Sequence, residues 1–321
     1  MIIKKEILDI TTNVYQKQIV IVFPCHNRRE ITLQCLRSLS RVDKEGLIVY
    51  TIVVDDGSTD GTTQSIKEEF YEVEVIQGDG SLWFTEGTNV GVRAAFKHNP
   101  DYILMINDDQ VFDSKFLRQM VETAEKYPRS VIGSLLLLWD VPHKLFQVSP
   151  KWETWKGGWQ LWEQQTIWMV PKKPWEVEII VGNCVLVPVE AIREEGLMDA
   201  KRYPNFGDAE YTPRLKRKGW KLLIDPRARV FCQPNAIPKK IATMTLREKA
   251  DALFFNLGHI QNLRRRFYTY IDGAPTKFQG IVGFSIFFIR LSCQKFFGKT
   301  EMPNKREKDI STLFAKSVVK D

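Results

Sequence analysis

The chain has 321 residues, of which 44% are hydrophobic and 26% are charged, a composition that is typical of a folded globular protein and excludes disorder throughout. Five scattered cysteines lack the CxxC spacing of a zinc or redox motif. Residues 1–17 lack the apolar core and cleavage site of a secretory signal. We therefore expect a cytoplasmic protein.

The net charge of +7 is unevenly distributed along the chain. Residues 236–321 contain 16 Lys or Arg against 7 Asp or Glu, whereas the preceding body is nearly neutral. A basic tail of this kind suits either nucleic acid or an anionic membrane.

Four segments in the first third of the chain predict buried strands that end in polar turns: residues 19–23, 50–54, 73–77 and 102–106. Stretches with apolar residues at helical spacing lie between them. This alternation indicates an α/β fold with a mostly parallel sheet flanked by helices. Since ligands of such sheets bind at the carboxyl ends of the strands, the turns are where site residues are expected.

Further strands are predicted at residues 131–138, 179–187, 220–224 and 228–232, with a helix that begins around Asp208. Seven of the nine tryptophans fall between residues 139 and 175, where the regular pattern is lost. Four of them have helical spacing: Trp152, Trp155, Trp159 and Trp162. They suit either a buried stripe or an acceptor platform, and we favour acceptor or membrane contact because so many indole N–H groups are difficult to bury with partners.

The tail predicts two helices, from residue 245 to about 270 and from 276 to 297. The apolar run 278–289 falls short of the ~20 residues that cross a bilayer. Phenylalanines alternate with basic residues here, which favours an interfacial helix on an anionic membrane over a nucleic-acid partner. The alternative is a helical hairpin that closes on the body or on a second subunit, which leaves a homodimer open.

Five segments of the chain combine acidic, glycine and polar residues: 22–28 (VFPCHNR), 53–61 (VVDDGSTDG), 87–91 (GTNVG), 107–109 (NDD) and 207–214 (GDAEYTPR). Their order and spacing resemble those of family 2 glycosyltransferases of the GT-A fold, especially rhamnosyltransferase-like bacterial enzymes that build surface polysaccharides. The resemblance implies a GT-A nucleotide-diphospho-sugar transferase fold with a C-terminal helical appendage. The implied divisions are an N-terminal extension (1–17), a catalytic domain (18–235, donor half about 18–138 and acceptor half about 139–235) and a basic amphipathic helical tail (236–321).

The resemblance implies a UDP- or dTDP-sugar donor whose pyrimidine imide hydrogen is accepted by Asp56 or by its neighbour Asp55. Other donor contacts are implied for Pro24, His26, Asn27, Arg28, Gly80, Trp83, Asn89 and Asp108. Two alternatives remain. Residues 55–58 could simply form a strand-to-helix turn, and Trp83 could belong to the core.

Asn107-Asp108-Asp109 occupies the position of the family's Asp-X-Asp motif. A diphosphate leaving group gains negative charge as the glycosidic bond breaks, and a hard divalent cation held by carboxylates neutralises it. The resemblance implies Mn²⁺ or Mg²⁺ bound by Asp109, with Asp108 contacting the ribose or sharing the metal. A polar turn that merely ends a strand is the structural alternative.

The resemblance makes Asp208 the general base that removes the acceptor proton while the hydroxyl attacks the anomeric carbon from the face opposite the diphosphate. A single base without a covalent intermediate implies inversion. Glu210 is the competing candidate. In the structural alternative, Asp208 is a helix N-cap and Glu210 pairs with Arg214.

We therefore expect an inverting, metal-dependent hexosyl- or deoxyhexosyltransferase of polysaccharide biosynthesis in the cell wall, peripheral on the inner face of the cell membrane. Its acceptor would be a glycan or a lipid-linked molecule. A nucleotidyltransferase is the first alternative, although the Gly-rich, Arg/Lys-bearing signature of such enzymes is missing near the first strand. The second is a catalytically silent scaffold subunit that binds a nucleotide sugar.

Overall fold

The computed structural model describes residues 16–147, 149–160, 166–233, 243–259 and 261–296. The predictions for residues 1–15, for Trp162 and for the tail beyond residue 296 lie outside the described residues.

Most of the described strands belong to one mixed sheet. They are β1 (Lys17–Cys25), β2 (Leu47–Asp55), β3 (Glu74–Gln77), β4 (Tyr102–Ile106), β5 (Gln110–Phe112), β6 (Ser130–Leu138), β7 (Leu145–Gln147), β10 (Trp175–Glu176), β11 (Cys184–Pro188) and β12 (Lys221–Cys232). The order is β10-β12-β6-β11-β4-β1-β2-β3, with β5 paired to β12 and β7 to β6. The first four strands are parallel, as expected, whereas β11 runs antiparallel to both of its neighbours.

The described residues form nine α-helices, of which the first six cover the two faces of this sheet. They are α1 (Arg29–Ser40), α2 (Thr62–Glu69), α3 (Trp83–Ala95), α4 (Phe116–Lys126), α5 (Val189–Glu195), α6 (Asp208–Arg217), α7 (Leu246–Ala250), α8 (Leu263–Gly273) and α9 (Lys277–Phe296). Alternate residues of β1 enter two separate cores. Ile19 and Ile21 pack in the core that contains residues of α1 and α4, whereas Val20 and Val22 pack with α3 and α6. A strand buried on both faces explains the uninterrupted apolar run.

Two strand predictions differ from the structure in detail. Strand β11 begins only at Cys184, because the preceding backbone is bonded to side chains of α6: the N–H of Ile180 donates to Thr212 Oγ1 at 3.1 Å. The segments 220–224 and 228–232 form the single strand β12, whose register shifts between Asp225 and Arg229. Such a bulge places extra residues in one strand without ending it.

The prediction of a single helix from residue 245 to about 270 is wrong. Thr245 caps α7, a π-helical turn follows at Asp251–Phe255, and α8 starts afresh at Leu263. The restart has a local cause, because the side chain of Asn262 accepts a hydrogen bond from the N–H of Arg265, a typical N-cap.

The tryptophan segment is a hairpin rather than a helix. Strands β8 (Lys151–Glu153) and β9 (Gly158–Gln160) pair antiparallel around a 3₁₀ turn. Trp152 is buried and meets Trp159 and Tyr270 edge to face. Trp155, by contrast, is 81% exposed. The helical spacing of the tryptophans therefore reflects a turn that places Trp152 in a core and Trp155 on the surface.

The described part of the tail packs on the body of the chain that precedes it. The carboxylate of Asp272 in α8 accepts hydrogen bonds from Arg202 at 2.8 Å and from the hydroxyl of Tyr203 at 2.9 Å. Gly280 of α9 lies so close to α8 that an added Cβ would approach the carbonyl oxygen of Tyr270 to 2.5 Å. The division of the chain at residue 235 stays a prediction.

Candidate active site

The turns that follow the parallel strands meet at one edge of the sheet. The ring Nδ1 of His26 lies 2.5 Å from the carbonyl oxygen of Asp56, and the N–H of Asn27 donates to Ser58 Oγ at 2.8 Å. Arg28 reaches across to Asp108 at 2.7 Å. The register of the sheet explains why these turns are adjacent, since Cys25 at the end of β1 pairs with Asp55 at the end of β2.

The buried carboxylate of Asp56 fastens the loop between β3 and α3. Its Oδ1 accepts from the N–H of Gly80 at 2.8 Å, and its Oδ2 accepts from the N–H groups of Leu82 and Trp83 at 3.0 and 3.1 Å. Gly57 permits this approach, because a Cβ there would lie 2.8 Å from the backbone nitrogen of Gly80. Asp56 therefore determines where the loop stands over the strand ends.

Asp55 is bonded within its own turn. It is 2% exposed, accepts from the N–H of Ser58 at 3.1 Å and from the hydroxyl of Thr63 in α2. Both of its carboxylate oxygens thus stabilise the strand-to-helix turn. Of the two neighbouring acids, Asp56 is the one that lies beside the loop carrying Trp83.

Trp83 stands at the rim of this edge and not in the core. Its indole is 49% exposed and its φ is +57°, a backbone conformation that is rare for a bulky residue. Such conformations concentrate at binding sites. Trp83 is thus placed to contact a ligand bound beside Asp56.

Of two further residues implied as donor contacts, Asn89 is buried and Pro24 is half-buried. Asn89 is 3% exposed, donates to the carbonyl oxygen of Met198 at 2.9 Å and accepts from its N–H at 3.2 Å. Pro24 packs on α3, where a Cβ at Gly87 would approach its ring to 2.7 Å. We interpret both as structural residues that fix α3 to its neighbours, because their polar or apolar surface is already engaged.

Asp108 and Asp109 share one guanidinium. Arg28 Nη1 lies 2.7 Å from Asp108 Oδ1, and Arg28 Nη2 lies 3.1 Å from Asp109 Oδ2. Thr32 in α1 donates to the other oxygen of Asp108 at 3.4 Å. Burial raises the pKa of Asp108 to about 7; Arg28 opposes this rise and the adjacent charge of Asp109 adds to it. The pair is thus a buried, electrostatically costly group that needs a positive partner.

The oxygen donors of this turn fit a hard divalent cation. Within the described residues, no group of three His, Cys, Asp or Glu could hold a metal by itself. Mg²⁺-type sites are often completed by one or two carboxylates and the phosphates of the substrate. Among the contacts that the structure describes, Asp109 uses one carboxylate oxygen, and the buried Oδ1 of Asn107 has no hydrogen-bond partner. The donor set therefore suits Mn²⁺ or Mg²⁺ bound together with a diphosphate.

Asp208 is the first residue of α6 and retains part of its surface exposed. Its Oδ2 accepts from the N–H of Gly182 at 2.9 Å, and no side-chain cap bond is made at this helix start, so the N-cap alternative does not hold. Burial raises the pKa of Asp208, while hydrogen bonds from backbone N–H groups and the charge of Arg265 act in the opposite direction. A carboxylate of raised pKa suits a general base.

Glu210, the competing candidate for the base, is instead engaged in an ion pair within α6. It is 7% exposed, and its Oε1 lies 2.6 Å from Arg214 Nε in an i,i+4 ion pair. Arg214 also donates to the carbonyl oxygens of Glu195 and Leu197 at 2.5 and 2.7 Å. Because Glu210 is held by this network, Asp208 is the better candidate base.

A short segment links the acidic turn to Asp208. The N–H of Asn107 donates to the carbonyl oxygen of Asn183 at 3.2 Å, and the preceding Gly182 binds Asp208. Gly182 tolerates no side chain, because a Cβ would lie 2.5 Å from the Cβ of Asp208. The base candidate and the metal-binding candidates thus stand on either side of residues 182–183.

Residues that sequence reasoning missed connect this region to the tail. Asn205 accepts from the N–H of Phe84 at 3.5 Å and donates to the carbonyl oxygen of Gly258 at 3.3 Å. The guanidinium of Arg265 lies 3.9 Å from the ring centre of Phe206 and is buried. The expectation that the basic residues of the tail face a membrane does not hold for Arg265. Only the helix-capping pattern at Asn262 could have indicated that a new helix starts there and turns Arg265 inward.

Three comparisons bear on this site. The family model "Glycosyl transferase family 2" matches residues 20–193. The N-acetylglucosaminyl-diphospho-decaprenol L-rhamnosyltransferase of Mycobacterium tuberculosis is 22% identical over 206 residues, and the match spans 57% of this chain and 66% of that relative, just under two thirds of its length.

Two solved structures share the fold. GalNAc-T7 with UDP, GalNAc and Mn²⁺ superposes with a TM-score of 0.56 at 13% identity, covering 87% of this chain and 57% of that one. The mannosyltransferase PcManGT from Pyrobaculum calidifontis, in complex with GDP-Man and Mn²⁺, superposes with a TM-score of 0.51 at 14% identity, covering 95% and 81%. These likenesses confirm the fold predicted from the sequence.

Proposed function

Because the chain belongs to glycosyl transferase family 2, we propose that it transfers a sugar, with inversion, from a UDP- or dTDP-sugar to a hydroxyl of a glycan or lipid-linked acceptor in cell-wall polysaccharide biosynthesis. One observation carries the proposal. A nucleotide-side acid (Asp56), a cation-binding acidic pair (Asp108 and Asp109) and a base candidate (Asp208) lie at one edge of the sheet, and hydrogen bonds of the intervening residues 26–28 and 182–183 link them.

In this proposal Asp56 and the loop that it fastens form the base pocket. The carboxylate retains acceptor capacity on Oδ1, which takes one hydrogen bond from Gly80, since an ionised carboxylate oxygen has two lone pairs. That capacity supports acceptance of the imide hydrogen of uracil or thymine. Trp83, half-exposed beside it, would border the donor sugar.

Asp109, with Asp108, would hold Mn²⁺ or Mg²⁺. When bound, the cation neutralises charge that develops on the leaving diphosphate. The chain's own contribution is to place two carboxylates and the guanidinium of Arg28 where that charge appears. The Mn²⁺ in GalNAc-T7 and PcManGT supports the proposal.

Asp208 would accept the proton of the attacking hydroxyl. Its raised pKa makes it a stronger base than an exposed aspartate, and its partial exposure supports access of an acceptor. The partial exposure of Asp208 also argues against the alternative of a catalytically silent scaffold subunit. The rhamnosyltransferase of M. tuberculosis, whose name contains a diphospho-decaprenol, supports a lipid-linked acceptor and a deoxyhexose donor.

We assign the membrane contact to one face of α9. Phe278, Ile281 and Ile289 are 73%, 51% and 60% exposed and share that face. Trp155 lies in the hairpin against which α9 packs, where Arg290 donates to the carbonyl oxygen of Lys156 at 2.6 Å. An apolar face flanked by basic residues suits an anionic lipid surface. No helix in the described ranges has the length and apolarity needed to span a bilayer.

This arrangement supports a peripheral protein with a catalytic domain (18–235) and a membrane-contacting tail (236–321). Location at the inner face of the cell membrane follows as part of the same proposal. A homodimer stays a prediction.

The deciding experiment is donor hydrolysis with a panel of UDP- and dTDP-sugars, with and without Mn²⁺. We expect turnover of one sugar class with Mn²⁺ and loss of turnover in Asp208→Asn while donor binding persists. Asp140→Asn, at an exposed position, is the matched control and should behave as the parent. Full activity of Asp208→Asn would remove the base assignment, and binding of none of the nucleotide sugars would remove the proposed function.

A further inference from the structure

Arg28 occupies the space between the two carboxylates to which a metal role is assigned. Its two terminal nitrogens contact one carboxylate each, at 2.7 Å for Asp108 and 3.1 Å for Asp109. The fork geometry of a guanidinium suits this bridging role, and the point charge of a lysine does not. Arg28 is therefore the positive partner of this pair among the contacts that the structure describes.

The charges do not balance in this arrangement. One guanidinium faces two adjacent carboxylates, of which Asp108 has a side chain only 6% exposed. A divalent cation added to the pair while Arg28 stays would reverse the sign of the group. That excess of positive charge is relieved when an anion such as a diphosphate arrives with the metal.

The two contacts of Arg28 are unequal. The bond to Asp108 is shorter and more buried, whereas Asp109 is 16% exposed in its side chain. The Arg28 side chain is itself 38% exposed, while its backbone is fixed because its carbonyl oxygen accepts from the N–H of Thr32 at 2.9 Å. The side chain can thus leave Asp109 without any change in the start of α1.

We propose that Arg28 is a displaceable counter-ion that makes metal binding at Asp109 conditional on a diphosphate. When a nucleotide binds, the guanidinium would transfer from Asp109 to the diphosphate, and Asp109 would then be free to hold the divalent cation. The inference rests on the proposed function, because it uses the same metal-binding carboxylate. By linkage, metal and diphosphate then strengthen each other's binding.

The test measures Mn²⁺ binding directly, from the free-ion signal in electron paramagnetic resonance, with and without UDP or dTDP. In the parent protein we expect nucleotide to tighten Mn²⁺ binding by about tenfold, within the usual range of coupled sites. Arg28→Met should bind Mn²⁺ without nucleotide at least about threefold more tightly than the parent, and nucleotide should add less. The control is Arg29→Met, which removes the same charge from an exposed neighbour whose guanidinium donates to the carboxylate of Glu30 and to the carbonyl oxygen of Asp60.

Equal or weaker Mn²⁺ binding by Arg28→Met without nucleotide would overturn the proposal, as would a threefold gain in Arg29→Met. If Arg28→Met does not fold, Arg28→Lys decides in its place, since it keeps the charge but loses the bridge; it must bind Mn²⁺ more tightly than the parent. Failure of the proposed function is recognised separately, because the parent would then bind neither UDP nor dTDP at any Mn²⁺ concentration.

Discussion

Gly57 and Gly46 form a matched pair for testing how the base pocket is built. Both have positive φ, +71° and +76°. An added Cβ at Gly57 would lie 2.8 Å from the backbone nitrogen of Gly80, whereas the space around Gly46 is empty within 4 Å. Alanine at either position therefore carries the same backbone cost, and only Gly57→Ala must also move the loop that Asp56 fastens.

The magnitudes follow from these contacts. Alanine in the left-handed region costs about 1 kcal/mol in each variant. Moving Gly80 also breaks its hydrogen bond to Asp56 Oδ1, and a bond to a charged group contributes about 1.5–3 kcal/mol. Gly57→Ala should therefore be destabilised by roughly 1.5 kcal/mol or more beyond Gly46→Ala in urea unfolding.

Nucleotide binding gives the functional measurement. Since the displaced loop contains Trp83, UDP or dTDP should bind Gly57→Ala at least about tenfold more weakly, which corresponds to ~1.4 kcal/mol. Gly46→Ala should bind as the parent in the same calorimetric titration. If both variants keep parental affinity, the loop clamped by Asp56 does not form the base pocket and our reasoning about that pocket is wrong.

Three further predictions concern the base and the membrane. A general base acts in its ionised form, and burial raises the pKa of Asp208, so kcat should fall with decreasing pH from a point above the ordinary pKa range of aspartate. A kcat profile that stays flat down to pH ~4 would exclude Asp208 as the base. Arg265→Gln removes a charge that lowers the pKa of Asp208, so the fall of kcat at low pH should move to higher pH. Arg264→Gln, at an exposed position on the same helix, should leave the pH profile in place. Identical profiles of the two variants would refute the interaction between Arg265 and Asp208. Phe278→Ser should reduce co-sedimentation with anionic vesicles, because it removes up to about 1.5–3 kcal/mol of apolar burial in the membrane. Tyr71→Ser, at a position that is 92% exposed and outside α9, should sediment as the parent does. An equal loss of co-sedimentation in both variants would contradict the assignment of the membrane contact to this face of α9.

The first half of the fold was predictable because its strands are apolar on both faces. Val20 and Ile21 of β1 both lie in cores, so the run is uninterrupted, and the polar turn at its end is correspondingly clear. The turns carrying Asp56 and Asp108 follow from the same pattern. Their assembly at one edge needed only the rule that parallel strands end together.

The second half could not be predicted from spacing alone. Asn89 has a motif position typical of a binding residue, yet its amide binds the backbone of Met198 over a hundred residues away. Arg265 looked like surface charge because sequence periodicity does not register where one helix stops and another starts. The contact of Asn89 with Met198 depends on tertiary packing, which leaves no local signal, whereas the only local sign for Arg265 is the cap at Asn262.

The close seating of α9 determines how this protein could meet a surface. Gly283 lies so near the hairpin that a Cβ would approach the ring of Trp152 to 2.9 Å, and Gly280 is equally tight against α8. A helix wedged in this way has little freedom to roll or slide. The distance between Asp208 and a bilayer contacted by Phe278 would then be fixed by the fold. The enzyme would therefore select acceptors by how far their hydroxyl group projects from the lipid.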